Sequence, residues 1–114
     1  MALHHARAAE VVDFSPQGSR LRSMRTAAIV KTAEFEVARL VVQEGVLLKR
    51  HQVPGSITLY CLEGHVEIEL DRESIEMEAD EWIYLDGGTP HAVRGLTDSA
   101  LLLTIILANP AEER

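Results

Sequence analysis

From Ala28 onward, apolar and polar residues alternate with a period of two, the spacing of a β-strand with one face turned inward. His65-Val66-Glu67-Ile68-Glu69-Leu70 is the plainest instance: Val66, Ile68 and Leu70 fall on one face, and His65, Glu67 and Glu69 on the other. Glu34 to Val42 alternates likewise until Gln43-Glu44-Gly45 turns the chain. Ile57 to Leu62 is a run of strand formers stopped by Glu63-Gly64, and Ile75 and Met77 continue a strand after a turn over Asp71 to Ser74. Trp82 to Leu85 reads as a short buried run ended by Asp86-Gly87-Gly88-Thr89-Pro90, after which a strand starts near His91 and Ala100 to Leu107 closes the set. Strands recurring every 8 to 12 residues or so, with turn signals between them, predict an all-β antiparallel sandwich or barrel.

The first 27 residues are different. Leu3 to Val12 holds helix formers, and Ser15-Pro16-Gln17-Gly18-Ser19 then breaks the pattern, so an N-terminal arm or short helix is expected over 1–27, the barrel over 28–108 and a tail over 109–114. Arg7, Arg20, Arg22 and Arg25 fall in this arm, which reads as a solvated segment folded over the body. The 114 residues suit a single domain able to bury its own core, with 46% apolar and 25% charged residues. The net charge of −7 argues against binding nucleic acid or an anionic membrane surface, both of which depend on Lys and Arg. The longest mainly apolar run, Ala100 to Ala108, is about half a membrane span, and the N-terminus carries no signal-peptide stretch. A single cysteine, Cys61, excludes a disulfide framework and points to a reducing compartment, the cytoplasm.

Two segments carry a resemblance. Gly45, five residues, then His51-Gln52-Val53, with Gly64 beyond, resembles the first motif of the cupin superfamily: a glycine, five residues, histidine-x-histidine, a glutamate and a glycine. Leu85-Asp86-Gly87-Gly88-Thr89-Pro90-His91-Ala92-Val93 is similar to the second, in which a proline-x-glycine turn leads to a histidine. The chain as a whole resembles the small single-domain bacterial cupins. This resemblance implies a jelly-roll barrel of six to eight strands with a central pocket, often a homodimer. It also implies a metal site, commonly three histidines and a glutamate. Here His51 and His91 take the first and third histidine positions, whereas Val53 takes the second, Ile57 the glutamate, and Asp86 the usual proline. Two imidazoles fall short of a firm site, because catalytic zinc keeps three protein ligands and non-heme iron two histidines and a carboxylate.

His51 and His91 therefore have three readings: polar residues satisfied inside the barrel, groups that orient a ligand, or holders of a weakly bound divalent ion such as Fe, Mn, Ni or Zn. Val53 and Ile57 are expected to line the same pocket. Arg39 shares strand parity with Phe35, Val37 and Val41, and if that face is the interior its guanidinium could clamp a carboxylate. Otherwise it reaches the rim or pairs with a Glu. Cys61 reads as a small buried hydrophobe and His65 as a surface histidine, while adjacent His4 and His5 in the arm make no site. Arg50 and Gln52 should point away from His51. Tyr60, Trp82 and Tyr84 read as sheet packing, with Tyr60 facing outward, where a partner subunit could lie.

Three functions follow. The first is a cupin binding a small organic molecule in a barrel with a degenerate metal site. The second is a metal-dependent oxygenase, isomerase or decarboxylase using His51 and His91. The third is a dimeric structural or partner-binding module.

Overall fold

The computed structural model describes residues 5–107; the expected tail over 109–114, and His4 in the arm, lie outside the described residues. After a 3-10 helix at Gly18–Ser23 come nine described strands: β1 (Ala27–Lys31), β2 (Phe35–Val42), β3 (Leu47–His51), β4 (Ile57–Glu63), β5 (His65–Glu69), β6 (Ser74–Glu78), β7 (Trp82–Leu85), β8 (His91–Gly95) and β9 (Ser99–Ile106). They form two antiparallel sheets, one in the order β1-β2-β9-β4-β7 and the other β3-β8-β5-β6. The chain crosses repeatedly from one sheet to the other, giving an all-β jelly roll.

Alternation decides which side chains meet between the sheets. Ile57, Leu59 and Cys61 from β4, Val66 and Ile68 from β5, and Leu101 and Leu103 from β9 join Val42, Met77 and Val93 in one buried cluster. A fully buried aliphatic side chain contributes about 1.5–3 kcal/mol, so this layer is the main source of stability. The registers Ile57↔Ile105 and Ile57↔Leu85 place Ile57 at one end of that layer, with aliphatic neighbours on both adjoining strands.

Trp82 and Tyr84 depart from expectation. The run Trp82–Leu85 is not buried throughout: Trp82 is 58% and Tyr84 55% exposed, while Ile83 and Leu85 pack on the core. Four residues of alternating strand cannot all face inward, and here the two aromatics take the outer face, stacked with ring centroids 6.2 Å apart. Tyr60 sits opposite Trp82 in register, shares this outer face and donates its hydroxyl to Asp80 at 3.0 Å.

The N-terminal arm is docked onto the barrel. Leu21, 2% exposed, packs with Val41 and Ala100 on the outer face of the five-stranded sheet. The backbone N–H groups of Gln17 and Gly18 donate to the Glu63 carboxylate at 2.8 and 3.1 Å, and Ala6 N–H donates to the Ile29 carbonyl at 2.7 Å. Residues 5–17 form no α-helix, and Ala9 sits in the left-handed region at φ 70°. The helix-forming stretch is too short to hold a helix without an apolar face to bury, since isolated segments below about 12–15 residues are marginal in water.

Candidate functional site

Both histidines face the barrel interior. His91 shares the inward parity of core Val93 on β8, and the register His51↔His91 brings His51 to the same side; a bulge between Leu48 and His51 adjusts the phase of β3. The two rings lie 4.4 Å apart between centroids, tilted by 58°. His91 is 4% exposed, whereas His51 is open to solvent. His91 Nδ1 lies 3.0 Å from the Thr89 carbonyl and His51 Nδ1 lies 3.2 Å from the Lys49 carbonyl. A carbonyl can only accept, so Nδ1 is the donor in both contacts, and Nε2 is the ring nitrogen left to accept when an imidazole is neutral. Burial holds the His91 pKa below the ordinary histidine value; the Thr89 carbonyl opposes this and the charge of His51 adds to it.

The residues present do not fit the metal site that the resemblance implies. Ile57 is 3% exposed inside the aliphatic cluster and presents carbon where a carboxylate ligand is needed. Val53 lies in the loop after β3, packed against the core from its edge. Among the described residues, no three His, Cys, Asp or Glu side chains converge in a way that could hold a metal ion. Cys61, fully buried, makes only weak contacts to the Glu63 and Gly64 carbonyls, and burial pushes its thiol up to about 11. A protonated buried thiol is a packing group.

Arg39 requires a correction. The inward positions of β2 are Ala38, Leu40 and Val42, so Arg39, one step out of phase, lies on the outer face with Val41. The arm covers it there, its guanidinium carbon 5.3 Å from the centre of the Phe14 ring, with the Nε buried and unpartnered. Arg39 is not in the pocket with His51 and His91. Strand parity could not reveal this, because the arm makes the outer face of β2 apolar as well.

Strand parity places the remaining polar candidates away from the interior. His65 accompanies Glu67 and Glu69 on the outer face of β5 and pairs with Glu76 at 2.8 Å. Arg50 pairs with Asp71, and Arg94 sits between Glu67 at 3.7 Å and Glu69 at 3.1 Å.

A cavity of about 310 Å³ opens at the same end of the five-stranded sheet as Ile57. Val53, Pro54 and Gly55 form one wall, Ile105, Ile106 and Leu107 another, and Glu36 is the charged group among its lining residues. Neither histidine lines it. The β7–β8 turn holds the first wall in place: Gly88 N–H donates to the Val53 carbonyl at 2.7 Å, and Gly87 lies so close to the Pro54 carbonyl that a Cβ there would collide. The sequence places Val53 and Ile57 in one pocket with His51 and His91, whereas this cavity takes only Val53 of the four; it also takes Glu36, whose parity with Ala38 and Leu40 was the available signal. A second, more open depression beside the arm is lined in part by Arg22, Arg25 and Gln43, with Arg22 held by Asp98 at 3.3 Å.

Comparison with known proteins decides the family. The cupin domain family model matches residues 38–107, more than half of the chain and both motif segments. The chain belongs to the cupin family. Its barrel is similar to that of a conserved protein of unknown function from Streptococcus pyogenes, with 21% identity, 96% of each chain covered and a TM-score of 0.75. It is also similar to a cupin superfamily protein from Desulfitobacterium hafniense, at 13% identity and TM-score 0.71, covering 87% of this chain and 100% of that one. An RmlC-like cupin from Desulfovibrio desulfuricans gives 23% identity and TM-score 0.67, covering 92% and 97% of the two chains. Likeness at these identities speaks to the fold. A comparison with curated proteins finds no match. Among the described residues no helix is long and apolar enough to cross a membrane.

Proposed function

We propose that this cupin binds a small organic molecule at the mouth of its barrel and that the metal position implied by the resemblance is degenerate. The observation that carries this reading is the cavity of about 310 Å³ behind Val53, at the lower end of the range for ligand pockets and walled mainly by aliphatic side chains. Beside it in the fold, the metal positions hold two imidazoles and two aliphatic residues, so organic burial has more support than metal chemistry. The alternative, a metal-dependent oxygenase, isomerase or decarboxylase, rests on His51 and His91 alone. Fold similarity does not favour it, because one barrel carries many unrelated reactions.

A thermal-shift screen of small organic compounds tests the reading. Compounds that raise the Tm of the protein should lose their effect in Val53→Trp, which fills the cavity while leaving the histidines in place. A screen without a stabilising compound, or shifts untouched by Val53→Trp, would refute it.

A second observation supports a homodimer. Phe35, Trp82, Tyr84 and Ile106 are all exposed large apolar residues, and alternation places all four on the outer face of the five-stranded sheet. Exposed apolar patches of this kind mark interaction surfaces. A net charge of −7 would oppose self-association elsewhere on the molecule, whereas the carboxylates of β5 and β6 lie on the other sheet. The cysteine count supports a reducing, cytoplasmic setting.

A further inference from the structure

We infer that the ligand of the barrel-mouth cavity is a small organic cation, a protonated amine on a compact apolar body, held by the Glu36 carboxylate. The inference rests on the reading of the cavity as a binding site and adds the chemical class. Glu36 lies near the start of β2, in register with Ile105 on β9 and Lys31 on β1, and its parity with Ala38, Leu40 and Val42 turns it toward the interior. It is half-buried, and among the described residues it has neither a hydrogen-bond nor an ion-pair partner. Lys31, across the strand, makes no ion pair with it. The rest of the lining comes from Val53, Pro54, Gly55, Ile105, Ile106 and Leu107.

An ionised carboxylate beside an aliphatic wall loses hydration when a ligand closes over it, and that loss is offset only by a partner that donates charged hydrogen bonds. A protonated amine supplies them, and its hydrocarbon part covers the aliphatic wall. A neutral molecule of the same shape covers the wall but leaves Glu36 unpaired. An anion meets the repulsion of Glu36 and of a chain with net charge −7. The arrangement therefore ranks ligands as cation, then neutral, then anion. The small volume of the cavity limits the body to a short alkyl chain or a single ring.

Three probes of equal length separate charge from shape: hexylamine, hexan-1-ol and hexanoate, titrated into the full chain and followed by isothermal calorimetry or by chemical shifts of the cavity residues. Hexylamine should bind about ten-fold tighter than hexanol, with hexanoate weakest, and its advantage should shrink as salt rises. Glu36→Gln should bring hexylamine to the level of hexanol without weakening hexanol, whose retained binding shows that the variant is folded. Val53→Trp should remove both. Equal binding of hexylamine and hexanol to the wild type, or an amine preference that survives Glu36→Gln, would overturn the cationic assignment while leaving the cavity a binding site. Failure of all three probes to bind would overturn both.

Discussion

The two sheets of this cupin share one aliphatic core but differ at the end where β3 leads into β4 and over their outer faces. The four-stranded sheet brings two imidazoles to the barrel interior and covers its outer face with charge: Arg94 bridges Glu67 and Glu69, and His65 pairs with Glu76. The five-stranded sheet brings Ile57 and Ile105 inward at the same end and shows Trp82, Tyr84, Phe35 and Ile106 outward. The contrast sets an aliphatic wall packed on both neighbouring strands against an imidazole pair with one ring open to solvent. Ile57 stands where a cupin glutamate is expected, and it is integrated into the core on both neighbouring strands. Such a position contributes packing and no ligation. The imidazole side presents two ring nitrogens, and among the described residues no third His, Cys, Asp or Glu side chain converges with them.

That contrast can be broken in order of expected effect. Ile57→Ala should cost about 2–5 kcal/mol in urea unfolding, the usual penalty for emptying an Ile site in a core. His51→Ala, at an exposed position, should stay within about 1 kcal/mol. Comparable losses at the two sites would mean that the imidazole wall is as structural as the aliphatic one. Next comes the outer face. The protein should sediment as a dimer, and Trp82→Glu should weaken self-association about a hundred-fold, since a central aromatic anchor often carries 2 kcal/mol or more. Glu78→Lys, on the charged sheet, should leave the dimer intact. A wild-type monomer at micromolar concentration would remove the account of the aromatic face.

The smallest effect is the pH response of His91. Because burial holds its folded pKa below that of the unfolded chain, the unfolded state binds a proton first as pH falls. Its contribution to stability is complete above the ordinary histidine value of about 6.5 and is lost as pH drops through the folded value. The Tm should therefore decline between about pH 7 and pH 5, and His91→Asn should flatten that decline. An identical slope in the variant would place the sensitivity in other groups.

Much of the architecture was legible because alternation is a strong signal where one face is buried and the other wet. His65 to Leu70 reads correctly for that reason, with Val66 and Ile68 fully buried and His65 paired on the outside. Legibility failed where both faces are apolar. Arg39 could not be assigned a side because Val41, its neighbour in parity, is buried beneath the arm through Leu21, so the outer face of β2 carries the same pattern as the inner. Residue type alone places Trp82 and Tyr84 in the core, although the neighbouring Ile83 and Leu85 already occupy the inward phase. Glu36 lies within the alternating run Glu34 to Val42, so parity gives its face; that this face opens onto a cavity emerges only from the fold, which sets Glu36 against Ile105. The motif glycine Gly88 was more informative than the motif ligands, since its N–H donates to the Val53 carbonyl and positions the wall that carries Val53.

The most direct test of the central claim is the metal content of protein purified without a histidine tag, measured by mass spectrometry of the elements. A barrel with two imidazoles and aliphatic residues at the other two positions should retain far less than one equivalent of iron, manganese, nickel or zinc per chain. Close to one equivalent, lost in His51→Ala or His91→Ala, would contradict the account and return the protein to the metal-dependent enzymes.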